Sequence, residues 1–283
     1  MQKLEDIEYG LLIDAVYKRY GYDFRQYAWP SIIRRLNNYL SASGYKYISQ
    51  VIPDLLRNES MFDDFINIMS VSVTEMFRNP FVYSEFRNNI VPKLASFPRL
   101  NIWHAGCSTG EEVYSFAILL KEEGLYDRST IYATDFDNIS LNKAEEGIYS
   151  VESIRLGTEN YRKSGGKRSF SEYYHSRYGK AIIDSALKEK IIFSSHNLAS
   201  DGVFNEMHLI VCRNVLIYFN NELQNQVLKL FSDSLIHNGI LVLGNKEDIM
   251  FSDVGNDFDV LGKKQKIYRK AGVSNDLLSG KAV

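Results

Sequence analysis

A strand, a glycine-containing turn and the start of a helix follow one another between Leu100 and Tyr114, and this order constrains the fold more than any other stretch. The apolar run at 100–105 leads into the turn Gly-Cys-Ser-Thr-Gly at 106–110, and a Glu-Glu pair then opens an apolar helix face. Glycines allow a tight turn and the close approach of a ligand, and a helix start presents unpaired N–H groups. The pattern predicts a ligand-binding turn, although an ordinary βα connection has the same order.

A carboxylate follows the second apolar run, which spans residues 130–137 and reads TIYATDFD. In a nucleotide-binding βαβ unit, a carboxylate at the end of the second strand can accept both ribose hydroxyls. Asp135 is favoured because it directly follows the apolar residues, whereas Asp137 is typical of a helix N-cap. The spacing between the turn and Asp135 favours adenosine as the ligand.

Apolar strands alternate with helices from residue 100 onward, which predicts an α/β fold with a parallel or mixed sheet covered on both faces. The predicted strands span 100–105, 130–135, 190–195, 208–213, 240–244 and 265–269. The predicted helices span 111–123, 138–146 and 221–236, and Gly239 ends the last of them. Ligands of such sheets bind at the carboxyl ends of the strands, where the glycine turn, Asp135, Asn197 and Asn214 are all expected.

Residues 1–70 have helical periodicity and predict a small helical domain, and residues 71–283 are predicted to form the ligand-binding domain. In the helical domain, Pro53 is expected to kink a helix or start a new segment. Arg34 and Arg35 are expected as charged companions of an inward apolar face. Residues 148–189 interrupt the strand–helix alternation and are rich in Tyr, Ser, Arg and Lys, which predicts an inserted subdomain.

Charge and composition exclude several classes of protein. The formal net charge is −2, so no overall field draws the chain to nucleic acid. The two cysteines form no CxxC pair, the first ten residues lack the apolar core of a signal peptide, and no apolar run reaches the ~18 residues of a membrane span. The five histidines show no metal-ligand spacing. We therefore expect a soluble, cytoplasmic protein without a metal site.

Polar residues follow two of the predicted strands. Asn197 offers an amide donor and acceptor that suit the edge of an adenine, although an Asn at this place is often a turn residue. Arg213 and Asn214 interrupt an apolar run, with Tyr218 four residues further on. A buried Arg needs a partner, and a substrate carboxylate would be one. The alternative is that Arg213 pairs with an acidic residue of a neighbouring helix while Tyr218 simply packs.

The turn also spells G-x-S-x-G, the nucleophile elbow of serine hydrolases. Ser108 would be the nucleophile and His237 is available as the base. The helical character of residues 1–98 counts against this interpretation, because the hydrolase elbow follows several earlier strands. No pattern places an acid and a histidine together at later strand ends.

Five motifs occur in order along the chain and resemble those of the chemotaxis receptor methyltransferases, the CheR-type family. They are VTEMFRNP at 73–80, AGCSTGEEVYS at 105–115, ATDFD at 133–137, HNL at 196–198 and CRNVLIYF at 212–219. The resemblance covers roughly residues 5 to 270. It implies a Rossmann-like S-adenosylmethionine-dependent methyltransferase sheet with a small helical N-terminal domain and a small inserted β subdomain.

The resemblance also implies the reaction and the residues that serve it. S-adenosylmethionine would be the cofactor, S-adenosylhomocysteine the product, and glutamate side chains of chemoreceptors the substrate. Residues implied to contact the cofactor are Ser72 (where many members have Asn), Thr74, Arg78, Glu111 at its amino group, Asp135 at the ribose, Asn197 and Leu198 at the adenine, and Arg213 with Asn214. Residues implied in catalysis are Arg213, Tyr218 and Arg78.

The implied partner is the cytoplasmic helical domain of the receptors, and the basic face around Arg34 and Arg35 is a candidate docking surface for it. The insertion is short, which argues against docking to a receptor's C-terminal pentapeptide. The segment 244–249 departs from the G-x-S-E pattern usual in the family, which leaves its role open. An alternative function is a signalling adaptor that binds the cofactor or the receptor without turnover.

Overall fold

The computed structural model describes residues 3–69 and 74–271. Its α-helices are α1 Leu4–Tyr20, α2 Trp29–Ser43, α3 Ile48–Leu55, α4 Glu59–Met69, α5 Pro80–Glu85, α6 Val91–Leu94, α7 Glu111–Glu122, α8 Asn138–Glu146, α9 Val151–Lys163 and α10 Asn221–Ser234. Its strands are β1 Leu100–Ala105, β2 Ser129–Asp135, β3 Ile148–Ser150, β4 Tyr174–Arg177, β5 Lys180–Ile183, β6 Ile191–Ser195, β7 Met207–Cys212, β8 Leu235–Leu243, β9 Phe258–Gly262 and β10 Ile267–Lys270.

Seven strands form one mixed sheet in the order β6-β2-β1-β7-β8-β10-β9. The first five strands in this order pair in parallel, and β10 pairs antiparallel with both β8 and β9. The chain runs outward from β1 in one direction and from β7 in the other, so the strand order reverses between these two neighbours. A sheet of this kind opens a ligand crevice at the carboxyl ends of the strands at this reversal. The predicted α/β fold is confirmed.

Each face of the sheet has its own hydrophobic core, because successive strand side chains point to opposite faces. Ile102 and Val211 belong to one core, together with α7 and the inserted segment. Trp103 and Ile210 belong to the other core, together with α10 and the helices α1–α4. The N-terminal helices therefore share a continuous apolar core with the sheet.

The N-terminal domain also contacts the segment that follows β7 directly, through residues 26–28 ahead of α2. The Ala28 amide donates to the Tyr218 carbonyl at 2.8 Å, and the Asn220 amide donates to the Gln26 carbonyl at 2.9 Å. The rings of Tyr27 and Phe219 lie edge to face at 5.0 Å. These contacts place the start of α2 beside the carboxyl edge of the sheet.

Residues 148–189 contain a second, three-stranded antiparallel sheet in the order β3-β5-β4, together with α9. Its strands have three or four residues, too short for the alternation that identifies longer strands.

Among helices of the described residues, none has both the length and the apolar character that a bilayer span requires.

The predicted end of the last helix at Gly239 is wrong. Helix α10 ends at Ser234 and β8 begins at once with Leu235, so that Gly239 lies within the strand. Pro53 does not start a new segment, because α3 continues through it to Leu55, and the kink at this residue stays a prediction. The sequence analysis did not predict β9.

Glu122, at the end of α7, joins the inserted segment to the main sheet. Its side chain is 1% exposed and pairs with Arg87. It accepts hydrogen bonds from the hydroxyls of Tyr161 and Tyr173 and from the Lys167 amide. A single buried carboxylate thus satisfies donors from three parts of the insertion.

Replacing Glu122 with alanine is expected to lower the free energy of unfolding by about 3–5 kcal/mol. The Tyr161 and Tyr173 hydroxyls and the Lys167 amide would lose their buried acceptor, and Arg87 would keep only its ion pair with Glu123. Urea unfolding followed by circular dichroism measures the change. Asp233→Ala is the control, since Asp233 pairs with Lys229 on the exposed face of α10 and its removal should cost less than about 1 kcal/mol. Equal losses in the two variants would contradict the role of Glu122.

Candidate active site

The turn after β1 has the conformation that its glycines predict. Gly106 and Gly110 have φ values of 74° and 89°, and Ser108 adopts φ 51° between them. A Cβ added at Gly110 would lie 2.9 Å from the Cβ of Ala144, so this position has no room for a side chain. The amide of Gly106 donates to the carbonyl of Thr134 at 2.8 Å, which fixes the turn against the end of β2. The predicted order of strand, turn and helix is confirmed.

Asp135 ends β2 directly opposite this turn. Its Oδ2 accepts from the Ser108 amide at 2.8 Å, and its Oδ1 accepts from the Asp137 amide at 3.0 Å. The residue is 8% exposed, and burial raises its carboxyl pKa to about 6. Each carboxylate oxygen has a second lone-pair direction, so two further donors can bind. Asp137 is the N-cap of α8, as its position after the strand predicts.

These residues lie in a cleft of about 980 Å³, open solvent included, at the carboxyl edge of the sheet. The cleft brings together most of the predicted site. The predicted residues that line it are Thr74, Arg78, Asp135, Asn197, Leu198, Arg213, Asn214 and Tyr218. The cofactor and catalytic roles of these residues remain predictions. Ser72 lies outside the described residues.

Helix α7 presents Glu112, and not Glu111, to the cleft. Glu111 is 7% exposed and accepts from the Thr109 hydroxyl at 2.7 Å, and burial raises its pKa above the ordinary value. Its predicted contact with the cofactor's amino group is not tested by this geometry. Glu112 is a cleft residue that sequence reasoning did not single out.

Arg213 has partners from two other segments, the start of α7 and residues 78–79. Its Nη1 donates to Glu112, and its Nη2 donates to the Asn79 side chain at 2.9 Å and to the Arg78 carbonyl at 3.2 Å. The side chain is 0% exposed. Burial acts to lower the pKa of Arg213, but Glu112, Tyr83 and Glu247 together outweigh it and the net shift is upward. The alternative that Arg213 pairs with an acid of a neighbouring helix is what the structure shows.

The segment after β6 forms a local turn. The Asn197 side-chain oxygen accepts from the Ala199 amide at 3.0 Å, and the Asn197 amide donates to Asp201 at 2.8 Å. The ring of His196 packs against Trp103 with centroids 5.2 Å apart. Asn197 is thus a turn residue that also lines the cleft. The NH2 group of its side chain is left for the contact with adenine, which stays a prediction.

Arg35 reaches the cleft from the helical domain. It is 4% exposed and lies over the ring of Tyr218, with its Cζ 4.5 Å from the ring centroid. Its Nη1 donates to the Met69 carbonyl, whereas Nε and Nη2 are buried with no hydrogen-bond partner among the described residues. Burial lowers the pKa of Arg35 from its ordinary value, and Tyr218 opposes this shift.

The expectation that Arg35 belongs to an exposed basic face is therefore wrong, whereas Arg34 is exposed. The sequence did contain the pattern that identifies Arg35 as an inward residue. Ile32, Leu36 and Tyr39 are the other buried residues of α2, and position 35 lies on the same face.

The hydrolase arrangement is not formed. The Ser108 hydroxyl has no hydrogen-bond partner within the described residues, so no base activates it there. His237 is exposed near the start of β8, at the opposite edge of the sheet from Ser108.

Within residues 3–69 and 74–271, no group of three or more His, Cys, Asp or Glu is arranged to hold a metal ion.

Comparison with known proteins gives consistent matches along the chain. Residues 72–267 match the family model for the CheR methyltransferase SAM binding domain, and residues 7–70 match that for the CheR methyltransferase all-alpha domain. A protein of Pseudomonas putida described as a candidate methyltransferase, Cher3, is 49% identical over 94% of this chain and 97% of its own length. The chemotaxis protein methyltransferase of Salmonella typhimurium is 28% identical over 92% of this chain and 89% of its own length.

Among solved structures, the N-methyltransferase NodS from Bradyrhizobium japonicum, in complex with S-adenosyl-L-homocysteine, is 11% identical to this chain with a TM-score of 0.40. The match covers 70% of this chain and 89% of NodS.

The buried carboxyl of Asp135 predicts a pH-dependent affinity for S-adenosylhomocysteine. Its pKa is about 6 in the unliganded protein, and ribose hydroxyls bind best to the ionised form. Calorimetric affinity should therefore fall as the pH drops from 7.5 to 5, by at most about tenfold per pH unit below 6.

Asp135→Asn is the control for this titration. It should weaken binding at pH 7.5 by about 10- to 100-fold, the cost of a lost hydrogen bond to a charged group, and should abolish the pH dependence. A dependence that persisted in this variant would assign the titration to another cleft residue.

Proposed function

The chain belongs to the CheR methyltransferase family, whose SAM binding domain it contains, and we propose that it transfers the methyl group of S-adenosylmethionine to glutamate side chains of chemoreceptors. The products would be glutamyl methyl esters and S-adenosylhomocysteine. Relatives from Listeria innocua and Salmonella typhimurium are named chemotaxis protein methyltransferases, which supports a chemoreceptor as the substrate. The observation that carries the choice of a carboxylate acceptor is the Arg35 guanidinium in the same cleft as Asp135.

The cleft residues fit the cofactor. Asp135 keeps acceptor capacity for the two ribose hydroxyls, and the Ser108 hydroxyl is buried without a partner among the described residues. When bound, the cofactor supplies a methyl group made electrophilic by its sulfonium.

Arg35 supplies what a substrate carboxylate needs. A buried charge without a counter-charge is costly, and a guanidinium binds a carboxylate with two parallel hydrogen bonds. Nε and Nη2 of Arg35 are buried and unsatisfied within the described residues. The guanidinium of Arg213, by contrast, is already neutralised by Glu112. We therefore assign the binding of the acceptor carboxylate to Arg35 and a structural role to Arg213.

The acceptor requires no general base. A glutamate with an ordinary pKa of about 4.3 is ionised roughly 500 to one at pH 7. One carboxylate oxygen attacks the methyl carbon, the carbon–sulfur bond breaks, and its electron pair stays on sulfur. The two charges disappear together, so the protein needs only to align the oxygen with the methyl group and exclude water. Alignment of this kind can contribute about 7–11 kcal/mol.

In this proposal, Tyr218 completes the alignment. Its ring lies under the Arg35 guanidinium, so its hydroxyl can donate to the same carboxylate that Arg35 binds. Arg78 lines the cleft beside Thr74, and we assign both to closing over the methionyl end of the cofactor. The partner in this proposal is the cytoplasmic helical region of a receptor, and docking through exposed Arg34 stays a prediction.

The proposed reaction is tested by incubating the full chain with S-adenosylmethionine carrying a labelled methyl group and cytoplasmic fragments of chemoreceptors. We expect label in the receptor and its release as methanol in base, since methyl esters are base-labile. Cofactor binding without transfer to any receptor fragment would contradict the proposal and favour the adaptor alternative.

Arg35→Ala is expected to lower kcat/KM for receptor methylation by about 10- to 100-fold, the cost of a lost hydrogen bond to a charged group. The loss should appear mainly in KM, because the acceptor has more negative charge before transfer than in the transition state. Tyr218→Phe should lower kcat. Neither variant should change the affinity for S-adenosylhomocysteine more than about threefold.

Arg57→Ala is the matched control for Arg35, because Arg57 is an exposed arginine of the same helical domain. It should leave kcat, kcat/KM and the affinity for S-adenosylhomocysteine unchanged. Normal receptor methylation by Arg35→Ala would remove Arg35 from the acceptor site.

A further inference from the structure

The turn after β8 holds the segment that follows β7. The Glu247 amide donates to the Gly244 carbonyl at 2.9 Å, which closes a tight turn. The Glu247 side chain then folds back, and its Oε2 accepts from the Gly244 amide at 2.5 Å. The residue is 4% exposed. Two other donors come from the neighbouring strand end.

These donors are backbone amides of the segment between Arg213 and Tyr218. The Asn214 amide donates to Oε2 at 3.0 Å, and the Ile217 amide donates to Oε1 at 3.3 Å. Asn214 has a left-handed backbone with φ 62°, a conformation that needs support from its surroundings. Both oxygens of one carboxylate thus fix the two ends of a turn that leads directly to Tyr218.

We propose that Glu247 is a positioning residue for methyl transfer, and that its carboxylate fixes the turn after β7 so that the Tyr218 hydroxyl meets the acceptor carboxylate. The inference rests on the proposed function. It also gives a role to the segment 244–249, whose sequence departs from the family's pattern. The departure includes exposed Lys246, whereas Gly244 and Glu247, which make the contacts, are buried.

Gly244 is required by the same geometry. A Cβ at this position would lie 2.6 Å from Oε2 of Glu247 and 2.8 Å from the Asn214 amide nitrogen. Any side chain would push the carboxylate away from the amide that it binds. Gly244→Ala and Glu247→Gln are therefore independent ways to release the same turn.

Glu247→Gln keeps the shape of the side chain but replaces one acceptor oxygen with a donor that faces backbone N–H groups. We expect kcat for receptor methylation to fall by about 10- to 100-fold, as a displaced catalytic group predicts. An unchanged circular dichroism spectrum reports that the variant is folded. Gly244→Ala should behave in the same way. Asp248→Asn is the matched control, because Asp248 pairs with Lys266 outside the cleft.

A double-mutant cycle distinguishes positioning of Tyr218 from a general structural role. In a Tyr218→Phe background, Glu247→Gln should cost less than about threefold in kcat, because the group that it positions is already absent. The same 10- to 100-fold loss in both backgrounds, or no loss in either, would overturn the proposal.

Hydrogen exchange gives a readout that does not depend on turnover. In Glu247→Gln, amide exchange in a peptide covering residues 213–219 should become at least tenfold faster, with unchanged exchange in β1. If the native chain methylated no receptor fragment, the proposed function would fail, and this exchange rate would still decide whether Glu247 holds the turn. Unchanged exchange would show that it does not.

Discussion

The Arg213 guanidinium, buried where the strand order reverses, holds the candidate active site together. It binds Glu112 at the start of α7, and Arg78 and Asn79 ahead of α5, while its own backbone ends β7. These contacts join the start of α7, the segment before α5 and the end of β7 around one charge. A buried pair of this kind contributes little net stability, but the loss of one partner is costly. Its value here is geometric, because it sets the relative positions of three cleft-lining segments.

The pairing of Arg213 also determines which charge remains for a substrate. Glu112 neutralises Arg213, whereas two nitrogens of Arg35 have no partner among the described residues. The helical domain therefore contributes a cationic side chain to a cleft whose other residues come mainly from the strand ends of the sheet. In the proposed function, the N-terminal helices would take part in binding the acceptor as well as in docking. The ends of the cleft are electrostatically distinct, with the Asp135 carboxylate at one strand end and the Arg35 guanidinium above Tyr218.

The parallel part of the fold could be predicted from the sequence, because its strands are continuous apolar runs bounded by turn residues. The strand at 100–105 and the helix at 138–146 have the predicted bounds. The strands of the insertion could not be predicted, since a segment such as 174–177 is short and mostly exposed. The boundary between α10 and β8 was missed because the chain passes from helix to strand without a glycine or proline at Ser234.

The site was predictable to the level of its motifs but not of its contacts. Asp135 follows from strand position and spacing alone. The choice between Glu111 and Glu112 depends on the rotational phase of α7, which the geometry of the preceding turn sets. Arg35 has the periodicity of a buried position, but an arginine is placed on the surface by default. Its burial depends on the Met69 carbonyl and on a cleft formed by distant parts of the chain.

A crystal structure of the chain with S-adenosylhomocysteine and a receptor peptide containing the methyl-accepting glutamate would show which arginine binds the acceptor. We expect the glutamate carboxylate about 2.7–2.9 Å from nitrogens of Arg35, the distance of a charge-assisted hydrogen bond, with Arg213 still bound to Glu112. A glutamate bound to Arg213, with Arg35 paired to another residue of the chain, would contradict this expectation.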